Sequence, residues 1–265
     1  MVGVDRAGIA AGRPTFLSGD PLEAQLTCVL DENAARHMRV LRLEAGALVG
    51  LRDGAGGIAE GQVVRLSKTQ AYVEVHQVER REPLSDVHLL LPVADKDRML
   101  WLAEKACELG CTSWRPVLWR RSRSVSPRGE GMSFHAKVRA RMESALIQSE
   151  GAWLPQLFPE ANVERAVLAA PVGLRIVLDP SGPPLIGHAS QTITGPVSLA
   201  IGPEGGIERD ELEQLVAAGF RRASVGATIL RFETAAIAAL AIVRTVLSDP
   251  HHAGAGDHAQ PSIAP

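Results

Sequence analysis

The sequence predicts an α/β protein in two parts, a small β-rich module followed by a domain built on a largely parallel sheet. Three features predict this. Residues 14–80 carry short alternating apolar and polar stretches separated by turn residues. After residue 86, continuous apolar runs alternate with stretches of helical period, as strands covered on both faces would. Between them, the charged stretch 79–86 contains Pro83 and reads as a linker. A chain of 265 residues is long for one domain and comfortable for two.

In the first module, residues 24–30 read as a strand. Residues 31–43 read as a short helix, with Asp31 as N-cap and Glu32 in its first turn. Residues 47–54, 57–67 and 71–80 alternate as strands, parted by the Asp53-Gly54 and Gly56-Gly57 turns. The sum is a compact barrel or small sheet.

In the second part, residues 87–94 form a buried strand, and residues 95–110 a helix with Met99, Leu102, Ala103 and Ala106 on one face. Gly110 stands just past the end of that helix. Residues 113–119 give another strand, and a basic segment leads into a helix near 134–147. Residues 173–180 and 197–206 each run from a buried strand into a loop. Residues 208–219 form a helix with acids at its positive N-terminal end and Gly219 at its finish. A short strand ending in Gly226, a loop over 227–230 and a long apolar helix over 231–247 follow. Residues 251–265, rich in Ala, Gly, His and Pro, read as a disordered tail.

Hydrophobic residues make up 46% of the chain and aromatics only 4%, so a core is available and must be mostly aliphatic. The cysteines are Cys28, Cys107 and Cys111, an odd number that argues against a disulfide framework and for a reducing compartment. Cys107 and Cys111 read as small buried hydrophobes, and no zinc set surrounds them, so no metal is expected. The opening residues lack the apolar stretch of a signal peptide, and the run Ala235–Val243 is far short of the roughly 18–20 residues of a membrane span. A cytoplasmic protein without a membrane partner is expected.

The net charge of −2 does not by itself suggest nucleic acid, but its distribution does. Arg115, Arg120, Arg121, Arg123, Arg128, Lys137, Arg139 and Arg141 cluster against the lone acid Glu130. Such a concentration suits phosphate binding. Arg36, Arg39 and Arg42, spaced by three on the expected helix, add a second basic face.

Two constellations carry the chemistry. In "VSLAIGPEGGIERDELEQL" (197–215), Gly202, Gly205 and Gly206 let a loop turn sharply at a strand's carboxyl end, where open α/β sheets bind ligands. The spacing matches neither a P-loop nor a dinucleotide fingerprint. From these residues alone the segment is either a ligand loop or a plain strand-to-helix turn. In "SVGATILRFETAA" (224–236), a loop delivers Arg231, Glu233 and Thr234 to the start of an apolar helix. Glu233 there fits a first-turn acid facing the helix dipole, with Arg231 as its partner. With "LDPSG" (178–182), three loops at strand carboxyl ends would converge on one crevice.

"LAIGPEGGIERDELE" followed by "FRRASVGATILRFETAAIAAL" resembles the 16S ribosomal RNA uridine-N3 methyltransferase family of the SPOUT superfamily. "HMRVLRLEAG", "KDRMLWLAEKACELG", "RPVLWRRS" and "QSEGAWLPQL" match further segments in order, so the similarity covers nearly the whole chain. The resemblance implies a PUA-like RNA-binding β-barrel over 14–82, a methyltransferase domain with a C-terminal trefoil knot over 85–250, and the tail 251–265. It implies S-adenosylmethionine as cofactor, 16S rRNA in the small ribosomal subunit as substrate, and a homodimer. Carried over by position, Leu178, Ile201, Gly202, Pro203, Gly205, Val225, Gly226, Ile229, Leu230, Arg231 and Thr234 would hold the cofactor. Arg231 and Glu204 stand nearest the reaction, the first favouring an anionic base and the second accepting its proton. Arg36, Arg39, Arg42, Arg120, Arg121, Arg123, Arg128 and Arg139 would meet RNA.

The sequence departs from that family in places. Phe232 stands where Thr is common, Ile147 where Glu is common, and Gly151-Ala152 replace a usual Arg after the "QS" pair. Two alternatives stand beside the methyltransferase reading. One is a non-catalytic rRNA-binding or assembly factor on the same scaffold; the other is a SPOUT methyltransferase acting on another RNA.

Overall fold

A computed structural model describes residues 13–124, 129–189, 193 and 195–248. These fall into two compact units, one drawn from Met1–Leu84 and Met142–Leu154, the other from Ser85–Arg141 and Pro155–Pro265.

The first unit contains β1 (Thr15–Leu17), β2 (Thr27–Leu30), α1 (Glu32–Val40), β3 (Leu48–Arg52), β4 (Gly57–Leu66) and β5 (Ala71–Arg80). Its sheet runs β1-β3-β4-β5-β2. The β1–β3 pair is parallel and the others antiparallel. Alternate residues point inward, and Phe16, Leu30, Met38, Leu51 and Val73 form the core. Asp31 caps α1 by accepting from the Ala34 N–H at 2.9 Å. The helix stops at Val40, and Arg42 lies beyond it with φ +56°. The expected row of Arg36, Arg39 and Arg42 on one helix therefore fails at its third member: the chain turns left-handed before Arg42, which leaves only Arg36 and Arg39 helical.

Glycine is required at the β3–β4 turn. Gly54 and Gly56 have φ of +68° and +94°. A Cβ on either would meet Leu154 or Trp153 at 2.6 Å. Leu154 N–H donates to Gly54 O and Gly56 N–H to Ala152 O, both at 2.9 Å. Arg52 Nε reaches Gly151 O at 3.2 Å. Residues 142–154, which sequence periodicity placed in the second domain, thus complete the first. Asp53 organises the turn. Its carboxylate accepts from Ala55 N, Gly57 N and Leu22 N, and pairs with Arg80 at 2.9 Å.

The second unit contains β6 (Val87–Pro92), α2 (Lys96–Glu108), β7 (Ser113–Leu118), α3 (Met132–Gln148, its last turns belonging to the first unit), β8 (Gln156–Leu157), β9 (Ala161–Asn162), α4 (Val163–Leu168), β10 (Leu174–Leu178), α5 (Leu185–Ala189), β11 (Val197–Ala200), α6 (Arg209–Ala217), β12 (Arg221–Ala223) and α7 (Phe232–Leu247). The sheet order is β12-β10-β11-β6-β7-β8, with β9 also on β7, and every pairing is parallel.

One face of the sheet carries Leu90, Val117, Val177 and Ala200 against α4 and α6. α7 packs on β6 and β11, and α2 packs on α7. Gly110 and Gly219, with φ of +71° and +88°, end α2 and α6 as their positions predict. Cys107 and Cys111 are buried and form no disulfide, and burial pushes both pKa values up, so they behave as small core hydrophobes. The short β1, β8, β9, α4 and α5 carry no legible sequence period, and only the structure reveals them. The tail 251–265 lies outside the described residues.

Asp53 provides a stability test. Burial pushes its carboxyl up, but the three backbone N–H donors and Arg80 outweigh this and hold its pKa below the ordinary value. A depressed carboxylate stabilises the fold at neutral pH and loses that contribution as pH falls through its folded pKa. Asp53→Asn should cost about 1–3 kcal/mol at pH 7 in urea denaturation. The gap to the parent should close as the pH drops below the usual aspartate range.

Candidate functional site

Three adjacent parallel strands, β12, β10 and β11, end at one level, with Leu178 beside Ala223 and Val177 beside Ala200. Their carboxyl-end loops enclose a cavity of about 300 Å³. The β10 loop contributes Leu178, Asp179 and Pro180. The β11 loop contributes Ile201 to Glu204, Gly206 and Ile207. The β12 loop contributes Ser224 to Gly226 and Thr228 to Leu230. Phe232 and Ala235, in the first turns of α7, and Leu212 of α6 complete the wall. The lining is largely aliphatic with backbone polar groups between, the character of a small-molecule site.

Each loop is held in a specific way. Asp179 accepts from Ser181 N at 2.9 Å and Ser181 Oγ at 2.8 Å, and pairs with Arg222 Nε at 2.7 Å. Burial raises the Asp179 pKa, but the Arg222 and Ser181 bonds win and keep it below the ordinary value, so it is an anion at neutral pH. Asp179 N–H also donates to Ala223 O and Ser224 N–H to Pro183 O, both at 2.8 Å, which joins the β10 and β12 loops. The β11 loop is held by arginines of the 3-10 turn Arg120–Ser124. Arg121 donates to Gly205 O and pairs with Glu208, both at 2.7 Å. Buried Glu211 closes a capping box with Glu208 and also takes the Arg120 N–H at 2.8 Å.

Of the positions expected at a cofactor, Leu178, Ile201, Gly202, Pro203, Val225, Gly226, Ile229 and Leu230 line the cavity, as does Glu204. Gly205, Arg231 and Thr234 do not. Gly205 backs onto Arg121, where a Cβ would lie 3.2 Å from the Arg121 Cβ. Arg231 is the exposed N-cap of α7, and Thr234 is exposed on its first turn. The expected pairing of Glu233 with Arg231 is not formed. Glu233 is buried, and its Oε1 lies 3.9 Å from Arg98 Nε in α2. Phe232 and Ala235 escaped the sequence reading, although their i, i+3 spacing puts them on one helix face. Asp179 lies in the 178–182 loop expected at the crevice, and the structure adds its side chain as the anchor of that loop.

The basic segment is partly neutralised. Arg120 pairs with Asp210, and Arg121 with Glu208, so these two act as ties for the β11 loop. Arg115 stacks on Phe158 with its guanidinium 4.2 Å from the ring centre. Arg36, Arg39, Arg42 and Arg139 are exposed. The Arg123 side chain and Arg128 lie outside the described residues. Among the described residues no group of His, Cys, Asp and Glu could hold a metal ion, and no helix is long and apolar enough to cross a membrane.

Residues 80–244 match the model of an RNA methyltransferase domain, a span that covers the cavity and all three loops. The chain belongs to the RNA methyltransferase family. Residues 30–75, from the end of β2 through the first half of β5, match the RNA methyltransferase PUA domain. This methyltransferase is 28% identical over 214 residues to the ribosomal RNA small subunit methyltransferase E of Synechocystis sp., covering 79% of this chain and 69% of that protein. Its identity to the protein of the same name from Mycobacterium bovis is 29% over 220 residues, covering 79% and 82%. The fold is similar to the crystal structure of a ribosomal RNA small subunit methyltransferase E from Neisseria gonorrhoeae bound to S-adenosyl methionine. That match has a TM-score of 0.79 and 27% identity, and covers 88% of this chain and 98% of the other.

Gly202 tests how tightly the β11 loop of the methyltransferase is packed. A Cβ there would lie 2.5 Å from Ile207 Cγ1, displacing that side chain from the cavity wall. Gly202→Ala should cost about 1–3 kcal/mol, the range for overpacking, seen as a lower urea midpoint. An unchanged midpoint would mean the loop yields freely.

Proposed function

We propose that this protein transfers a methyl group from S-adenosylmethionine to N3 of a uridine in 16S rRNA, with the small ribosomal subunit as substrate. The cavity beyond β12, β10 and β11 carries the reading: eight of the positions matched to the family's cofactor loops line one wall system. Its volume of about 300 Å³ lies at the lower end of the roughly 300–1,000 Å³ typical of cofactor pockets. Gly202 packs tightly against Ile207, so the absence of a side chain there lets the β11 loop bring both residues to the cavity wall. Leu178, Ile201, Val225 and Leu230 would hold the apolar parts of the cofactor. Similarity to a structure bound to S-adenosyl methionine supports the same assignment.

The sulfonium supplies an activated methyl group when bound. The chain's own task is to orient the uracil and manage the N3 proton. Arg231, in sequence between the lining residues Leu230 and Phe232, would favour the N3 anion. Glu204, which lines the cavity together with Asp179, would receive the proton. N3 lies on the Watson–Crick edge, so the target base must be unpaired or flipped out. The PUA-like module over 14–82 and exposed Arg36, Arg39, Arg42 and Arg139 would hold rRNA phosphates. The methyltransferase domain spans 85–250 in this reading, with a trefoil knot in its C-terminal loops, a homodimer as the working form and the cytoplasm as its location.

Labelled S-adenosylmethionine incubated with small subunits lacking the modification should yield N3-methyluridine at one site by nucleoside mass spectrometry. Transfer to a different nucleoside or RNA would replace the substrate assignment. Absence of both transfer and cofactor binding would favour a non-catalytic rRNA-binding factor. Arg231→Ala should lower turnover by about 10²–10³, the scale of losing one charge-stabilising donor, with an unchanged circular dichroism spectrum. Parent-like turnover would remove Arg231 from the mechanism.

A further inference from the structure

Arg98, on the first turn of α2, is not part of the cavity wall or of any step above, yet it links two of the loops that build the wall. Its backbone N–H donates to the N-cap Asp95 at 3.1 Å, which fixes the start of the helix. Its Nη1 is bonded to Glu204 Oε1 in the β11 loop. Its Nε lies 3.9 Å from Glu233 Oε1 on the first turn of α7, where the β12 loop ends. Glu233 is 8% exposed, and its other oxygen, Oε2, is buried without a hydrogen-bond partner among the described residues.

A buried carboxylate with one unsatisfied oxygen depends strongly on whatever cation remains near it. Arg98 is the cation the structure gives Glu233. The planar fork of a guanidinium can engage two carboxylates in fixed directions, whereas an ammonium acts as one point charge. Glu204 and Glu233 are 29 residues apart in the chain (233 minus 204) and belong to different loops. One guanidinium thus bridges the β11 loop and the start of α7, and Pro203 and Phe232, the sequence neighbours of the two carboxylates, line the cavity.

We propose that Arg98 is a positioning residue for the cofactor cavity, acting through Glu204 and Glu233 to hold the β11 and β12 loops at the spacing the ligand requires. This rests on the cofactor reading above. Loss of Arg98 would leave Glu204 and Glu233 without the cation they share, Glu233 being buried. The loops would separate and cofactor affinity would fall, and Glu204, the proposed proton acceptor, would lose its anchor as well.

Calorimetric titration of S-adenosylmethionine into the full-length protein, Arg98→Met, Glu233→Gln and the Arg98→Met/Glu233→Gln double variant tests this. Arg98→Met should weaken binding about tenfold, the scale of coupling through residues that do not touch the ligand, and should raise KM for the cofactor more than it lowers kcat. The double variant should recover most of the affinity, because the buried charge is gone with its partner. If Arg98→Met does not fold, Arg98→Lys carries the test, with severalfold weaker binding expected from a charge that reaches one carboxylate but not both. A parent protein that does not bind the cofactor overturns the cofactor reading and this role together. Parent-like affinity in Arg98→Met or Arg98→Lys overturns the positioning role alone. A double variant no better than Arg98→Met overturns the part played by Glu233.

Discussion

Parallel pairing of β10 between β11 and β12 is the constraint on which the site depends. Leu178 pairs with Ala223, and Val177 with Ala200, so three chain segments arrive at one edge of the sheet in step. Beyond that edge the ladder stops, and backbone N–H and C=O groups must find other partners. The β10 and β12 loops find them in each other, Asp179 N–H on Ala223 O and Ser224 N–H on Pro183 O, and the β11 loop within itself, Gly206 N–H on Pro203 O. A register slip at any of these strands would turn core residues such as Ile176 and Leu199 outward and scatter the cavity walls at the same time. Fold stability and site geometry are therefore one property here.

Charge serves the same end. The buried acidic and basic side chains of the second unit sit where elements meet. Glu211 joins the 3-10 turn at Arg120 to the start of α6. Arg244, in the last turn of α7, donates to the carbonyls of Ser85 and Gly110, tying the end of α2 and the entry to β6 to one helix. Arg98 and Glu233 do so at the other end of α7. Burying such groups is costly unless they are paired, so each pair selects one arrangement of the elements it bridges. The arginines at 120 and 121, which a charge count reads as phosphate ligands, are drawn into this internal role by Asp210 and Glu208.

Long elements and their ends were legible because their causes are local. Asp31, Gly110 and Gly219 cap helices through atoms a few residues away, and the apolar runs at 87–92 and 197–200 become strands buried on both faces. The loop motifs around Gly202 and Gly226 were legible for the same reason. The short β8, β9 and α5 were not, because two to five residues carry no period and are held by their neighbours. Nor was the return of residues 150–154 to the turn at Asp53–Gly57, since backbone hydrogen bonds across nearly a hundred residues leave no mark on composition.

By itself, the sequence determined the α/β class and the parallel sheet, since spacing along one strand or helix decides each of them, and its resemblance to a known family pointed to nine of the residues that wall the cavity. Tertiary structure alone decided which charged groups meet. Arg98 and Glu233 are brought together by the packing of α2 on α7, and Glu233 takes that partner over the nearby Arg231, which stays in solvent. A side chain's neighbours across elements follow from register and helix packing, which are settled only when the whole sheet has closed on its core.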